Sequence, residues 1–227
     1  MLKMNGLEMP PTFPETAFET IFETVNAHHQ LTTYFQFHGA WNAVAYRFHA
    51  MTDCDQSFTA SLKEHGPAPV QPIRYGQERD LFGFVSNAYS MFDAFHYGMY
   101  AIGAFVDSAH FKLASPEDER KVTFGGTSRA YASAFNGDPI IDHFLAYWSD
   151  PARQDLDVIR NMLTHRAVPP RAFRLTLGGG SQPKPAAAVT RLMLELDQNT
   201  TATRAADITA LLSRCLTPLQ DFTDRML

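Results

Sequence analysis

The chain has 227 residues, 45% of them hydrophobic and 12% aromatic, enough to enclose a large core within one domain. Its net charge of −5 excludes a broad basic surface for nucleic acid, and its two cysteines, Cys54 and Cys215, lack the spacing of a disulfide framework or a structural zinc site. The opening MLKMNGLEMPPTF lacks the basic stretch and apolar run of a secretory signal. The most apolar segment, 81–111, is interrupted by Asn87, Asp93, His96 and Asp107, so the expectation is a soluble, cytoplasmic protein with no membrane partner.

The first predicted element is a helix in PETAFETIFETVNAHHQLTTYFQF, where Phe18, Ile21, Phe22, Val25, Leu31 and Phe35 recur three or four apart behind Pro14 and Glu15. Gly39 marks the expected break before a second helix, which stops where Gly66, Pro67, Pro69 and Pro72 interrupt the pattern. The third and longest predicted helix runs from about Gln77 to Leu113 and carries aromatics on more than one side, as expected at the centre of a bundle. SPEDERK, with a Ser cap, a following proline and acids in the first turn, predicts another helix start. After Gly125 and Gly126 come short predicted helices over about 128–135 and 139–148, then a stronger one over 151–167 capped by Asp150. RAFRLTL and VTRLMLEL alternate in polarity on either side of GGGSQPKPAAA, which predicts a small β-hairpin over about 171–197. A last helix is expected over 203–225. No repeat or linker divides residues 1–227, so the prediction is a single, mainly all-α domain: an up-and-down helical bundle with a β-hairpin insertion near its C-terminus.

The segment IRNMLTHRAVPP, residues 159–170, concentrates the chemistry. On its helix, Leu156, Ile159, Leu163 and Ala167 share an arc of roughly 80° and form the expected buried stripe. Arg160 borders that stripe, and Thr164, Asp157, Asn161 and His165 follow around the circumference. Asn161 and His165 are four apart and can touch, whereas Arg160 and His165 diverge by about 140°. They converge on one ligand only through distortion of the helix end before Pro169, or across a second copy of the chain. The plainer alternative pairs Arg160 with Asp157 and leaves Asn161 and His165 in solvent. Five arginines between 153 and 174 face only Asp155 and Asp157, which makes this the segment an anion prefers.

Two D-x-x-H pairs, Asp93 with His96 and Asp107 with His110, fall on one face of the third predicted helix. They lie roughly 21 Å apart along it, too far to share a metal. The expectation is buried polar groups satisfied within the bundle, with Asp93 supporting the motif from behind. His28 and His29 read as surface, and GGGSQPKP lacks the GKS/T ending of a phosphate loop. No metal or other cofactor is expected.

RNMLTH, with Arg160, Asn161 and His165, resembles the R-x4-H signature of the HEPN superfamily, and the long-helix bundle resembles that fold. The resemblance implies a metal-independent endoribonuclease acting on single-stranded RNA at the interface of a homodimer, with Arg160, Asn161 and His165 as the catalytic set. Arg153, Thr164, Arg166 and Arg171 would contact RNA, and Asp93 and Asp157 would stand behind them. The chemistry suits these residue types, because histidine exchanges protons near neutral pH and arginine presents a planar fork to phosphate oxygens. An antitoxin or regulatory protein is a further partner that the resemblance implies. A subgroup paired with nucleotidyltransferase antitoxins carries Tyr two residues after the histidine, where this chain has Ala167. The alternative is a catalytically inactive HEPN-like helical interaction module.

Overall fold

The computed structural model describes residues 3–4, 7–30, 33–165, 196–197 and 199–227, with backbone alone for 3, 4 and 165. The described residues form eight helices: α1 (Glu15–Asn26), α2 (Tyr34–His65), α3 (Gln71–Val106), α4 (Pro116–Glu119), α5 (Phe124–Ala134), α6 (Ile140–Ser149), α7 (Pro151–His165) and α8 (Ala202–Met226). Two short strands, β1 (Lys3–Met4) and β2 (Leu7–Glu8), pair antiparallel ahead of α1. The protein is thus mainly all-α, a helical bundle. The expected hairpin over 171–197 lies outside the described residues except for Leu196 and Asp197.

α2 and α3, of 32 and 36 residues, are the longest elements and would span about 48 and 54 Å at the usual rise. They run antiparallel from the turn at 66–70. The Gln77 amide donates to Ser61 Oγ (3.2 Å), Arg47 donates to Asn87 Oδ1 (3.2 Å), and the Phe37 and Phe105 rings meet at 6.5 Å. Glycines let large neighbours come close to α3. A Cβ on Gly98 would touch the Trp41 ring at 3.4 Å, and one on Gly103 would lie 2.4 Å from the Phe111 ring.

Aromatic rings fill the core. Trp41 stacks on Phe18 and Phe37, at 4.7 and 5.2 Å, and its indole N–H donates to Phe18 O (3.2 Å). Tyr131 of α5 sits among Phe111, Phe135, Phe144 and Phe222 and satisfies its buried hydroxyl by donating to Met99 O (2.7 Å). These contacts join α3, α5, α6 and α8 around one apolar centre.

Several sequence expectations need correction. α1 stops at Asn26, because the polar run that follows folds into a turn: His28 N donates to Val25 O, and Tyr34 OH donates to Asn26 Oδ1 (2.7 Å). Phe35 therefore belongs to the first turn of α2 and is 80% exposed. Gly39 lies inside α2, where the surrounding helix absorbs its poor propensity. α3 starts at Gln71 with Pro72 in its first turn, and it ends at Val106. Asp107 ends it: Oδ1 accepts from Ala109 N and His110 N (3.0 and 3.2 Å), and Oδ2 pairs with His110 Nδ1 (2.7 Å). Asp107 and His110 are thus a helix-terminating turn, and that turn carries Phe111 back onto Gly103. Gly125 and Gly126 lie in the first turn of α5 instead of ahead of it, under a cap in which Thr123 Oγ1 accepts from Gly126 N (3.1 Å).

Gly103→Ala tests this packing. The added methyl overlaps a ring fixed by Tyr131 and Phe135, so unfolding by urea is expected to show a loss of about 1–3 kcal/mol, the usual cost of overpacking. An unchanged midpoint would show that Phe111 is free to yield.

Candidate functional site

The rotation of α7 decides which of its side chains share a space. Asp150 caps the helix by accepting from Ala152 N (2.9 Å) and pairs through its other oxygen with Arg214 of α8 (2.6 Å). Asp155 pairs with Arg204 of α8 (2.7 Å), while Leu156 and Ile159 are buried. With that face held, Arg153 and Arg160, seven residues apart and so on one side of α7, face a cleft between α7, α3, α6 and the start of α5.

The cleft has a volume of about 910 Å³. From α3 it receives Tyr89, Asp93, His96 and Tyr97, which recur at helical spacing; Tyr147 and Trp148 come from α6, and Phe124 opens α5. Aromatic faces hold both cations. The Arg153 guanidinium lies 4.0 Å from the Trp148 ring centre and pairs with Asp157, while the Arg160 guanidinium lies 4.8 Å from that of Tyr89 and donates to Asn161 Oδ1 (3.1 Å). The surrounding walls desolvate the Asp93 carboxyl and raise its pKa; Arg160 opposes that shift and Asp157 adds to it. Among the described residues Asp93 has no hydrogen-bond or ion-pair partner.

His96 is 2% exposed. Its Nδ1 bonds Phe92 O (2.7 Å), which makes that nitrogen the N–H and leaves Nε2 an acceptor, and Nε2 is buried without a partner among the described residues. Burial first, then His143, lowers its pKa to about 3, and burial lowers that of His143 to about 4. His143 Nε2 is likewise buried and without a partner among the described residues, with the two rings 6.0 Å apart.

The structure thus brings together some of the residues expected from sequence. Arg160 and Asn161 touch, and Arg153, Arg160 and Asp93 line the same cleft. Asp157 pairs with Arg153, and the Arg160–Asp157 pair of the plainer alternative is not formed. Asn161 and Thr164 are exposed, and the Thr164 hydroxyl donates back to Arg160 O (2.8 Å). The His165 side chain, Arg166 and Arg171 lie outside the described residues. Asp93 and His96 both depart from the expectation of buried, satisfied groups: Asp93 is exposed with no partner among the described residues, and only one ring nitrogen of the buried His96 is satisfied there. Sequence reasoning missed Tyr89, Phe124, Tyr147 and Trp148. Tyr89, Asp93, His96 and Tyr97 at i, i+4, i+7 and i+8 were a legible stripe of polar-tipped residues, but nothing in the sequence placed α6 opposite it. Among the described residues no three His, Cys, Asp or Glu side chains are grouped to hold a metal, and no helix is long and apolar enough to cross a membrane.

No protein family, curated protein or solved structure matches the chain. A functional reading therefore rests on the residues themselves.

The two neutral histidines set a pH dependence. Unfolding returns each ring to a pKa near 6.5, so the unfolded chain binds protons that the folded chain refuses. Their contribution to stability is complete above about pH 6.5 and is lost as pH falls toward the folded values of about 4 and 3. Thermal unfolding across pH 4–7 is expected to show Tm falling with acidity, and His96→Phe is expected to flatten that slope; equal slopes would mean His96 takes up its proton without unfolding.

Proposed function

We propose that this protein is an HEPN-like, metal-independent endoribonuclease that cuts single-stranded RNA at a site completed by a second copy of the chain. The observation that carries this reading is the pairing of Arg160 with Asn161, with the guanidinium laid on Tyr89. A cation supported in this way spends little conformational freedom on binding, and the rest of its fork can bond a phosphate. Arg153, braced by Trp148, is a second cation for the same strand.

Cleavage by the RNA's own 2′-hydroxyl needs a base for that proton and an acid for the leaving 5′-oxygen, on opposite sides of phosphorus. One imidazole cannot serve both at once, whereas His165 from two protomers can. The face of α7 away from the core suits such an arrangement. Gln154, Val158 and Asn161 are exposed there at spacings that also include position 165, and Val158 is 64% exposed. An isologous contact across this face would bring two copies of Asn161 and His165 to one axis. Asn161 would then orient the imidazole or the phosphate. Thr164 and, further along the chain, Arg166 and Arg171 would extend the contact with RNA.

A second reading, a helical binding module without catalysis, draws on the cleft: a carboxylate open to it and aromatic walls suit recognition as well as reaction.

The deciding measurement is cleavage of single-stranded RNA in excess EDTA. The expected products are 5′ fragments ending in a 2′,3′-cyclic phosphate, with DNA left intact. His165→Ala is expected to lower the rate by about 10² to 10⁴, the usual span for removing a general acid or base, and light scattering is expected to give a dimer. Cleavage that survives His165→Ala, or that EDTA abolishes, would overturn this mechanism, and no cleavage of any RNA would leave the binding module.

A further inference from the structure

Two hydrogen-bond acceptors line the cleft, one exposed and one buried, with no donor to either among the described residues. Asp93 and His96 stand three residues apart on α3, so their side chains rise from the same face with Cβ atoms about 5–6 Å apart. The Asp93 carboxylate has no partner among the described residues. His96 Nδ1 is committed to Phe92 O, so Nε2 can only accept, and it is buried and without a partner among the described residues. A buried polar atom left unsatisfied costs folding free energy, and a ligand that supplies the missing donor recovers it. Around these acceptors the walls are aromatic: Tyr89, Tyr97, Phe124 and Tyr147, with Trp148 56% exposed at the rim. Arg153 and Arg160 also border the cleft, each fixed on an aromatic ring. The ligand that fits is flat, presents adjacent donors on its inner edge, and carries an anion on its outer side. The volume of about 910 Å³ lies within the range of small-molecule sites.

We infer that the cleft is a base pocket that receives one unpaired guanine of the RNA, whose N1–H and 2-amino group donate to the Asp93 carboxylate and His96 Nε2 while the attached phosphate stays on Arg160 and Arg153. Guanine is the base whose pairing edge offers adjacent ring and amino donors. Adenine and cytosine set a ring acceptor beside their amino group, and uracil flanks its single N–H with two carbonyls, so each turns an acceptor toward an acceptor. Phe124 and Tyr147 meet the His96 ring at 4.7 and 4.6 Å, so entry of the base requires the half-buried Phe124 ring to turn aside. The inference rests on the ribonuclease reading for its substrate and adds the choice of base.

The test uses 2′-O-methyl RNA hexamers, which bind without being cut: one with a single guanine among uridines, one with inosine in its place, and one of uridine alone. Fluorescence anisotropy with the full chain is expected to show the guanine hexamer binding about tenfold tighter than the uridine hexamer, the scale of one well-formed base contact. Inosine, which lacks the 2-amino group, is expected to lose most of that gain. Asp93→Asn, at an exposed position, is expected to erase the preference, and His96→Phe, which keeps an aromatic ring but removes both nitrogens, to reduce it. Equal affinity for the three hexamers, or a preference untouched by Asp93→Asn, would overturn the pocket. If RNA is still cut in EDTA in that case, the ribonuclease reading stands without the pocket; if no hexamer binds and no RNA is cut, both fall.

Discussion

The close antiparallel packing of α2 against α3 is the constraint on which the rest of the structure depends. Two helices of 32 and 36 residues lie together over most of their length, with Gly98 facing Trp41 across the seam. Trp41 in turn seats Phe18 of α1, so the first helix takes its position from the second. On its other side α3 presents Gly103 to Phe111, and Phe111 locates Tyr131 and hence α5. Bulky rings against bare backbone give large dispersion contact at low conformational cost, because a ring has few rotamers to lose. α3 therefore belongs to the core on several sides while leaving one stripe, Tyr89 to Tyr97, to line the cleft.

That stripe and α7 make the site from opposed requirements. The aromatic rings serve as supports: Trp148 and Tyr89 hold arginines that would otherwise sample many rotamers, and the burial of Leu156 and Ile159, with the ion pairs of Asp150 and Asp155 to α8 beside it, sets the rotation of α7 that turns those arginines to the cleft. Beneath them the bundle buries two imidazole nitrogens, on His96 and His143, that have no partner among the described residues. Burial keeps the His96 ring neutral, so with Asp93 it gives the cleft acceptors and no cation, while Arg153 and Arg160 at its border supply the cations. A ligand with an anionic and a donor-bearing end is oriented by that polarity alone.

The helices themselves were largely legible in the sequence, because apolar spacing and capping chemistry are local properties. α7 begins at the Asp150 cap as its sequence required, and α8 matches its predicted bounds to within a residue at each end. The errors fell where a local signal had two meanings. Gly39 could break a helix or be carried through one, and a long helix absorbed it. Asp107 with His110 could be a helical pair or a capping turn, and the choice depended on Phe111 finding Gly103, a contact that only the folded chain provides. The divergence of Arg160 from position 165 was legible from helical geometry, as was the placement of Arg160 at the edge of the apolar stripe.

Sequence by itself therefore determined the class of fold, the helix that carries the Arg160–His165 motif, and the inward turn of Leu156, Ile159 and Leu163, since each follows from periodicity along a single element. Tertiary structure decided the partners. Asp157 was equally placed, at four residues from Arg153 and three from Arg160, to bind either cation. Trp148 took Arg153 and Tyr89 took Arg160, and Asp157 pairs with Arg153. Likewise, nothing local to Asp93 and His96 said whether the space before them would be filled. That was settled by where α5 and α6 came to rest, through packing around Tyr131 and Phe144, residues remote from them in sequence, because the shape of a cleft is a property of the elements that leave it open.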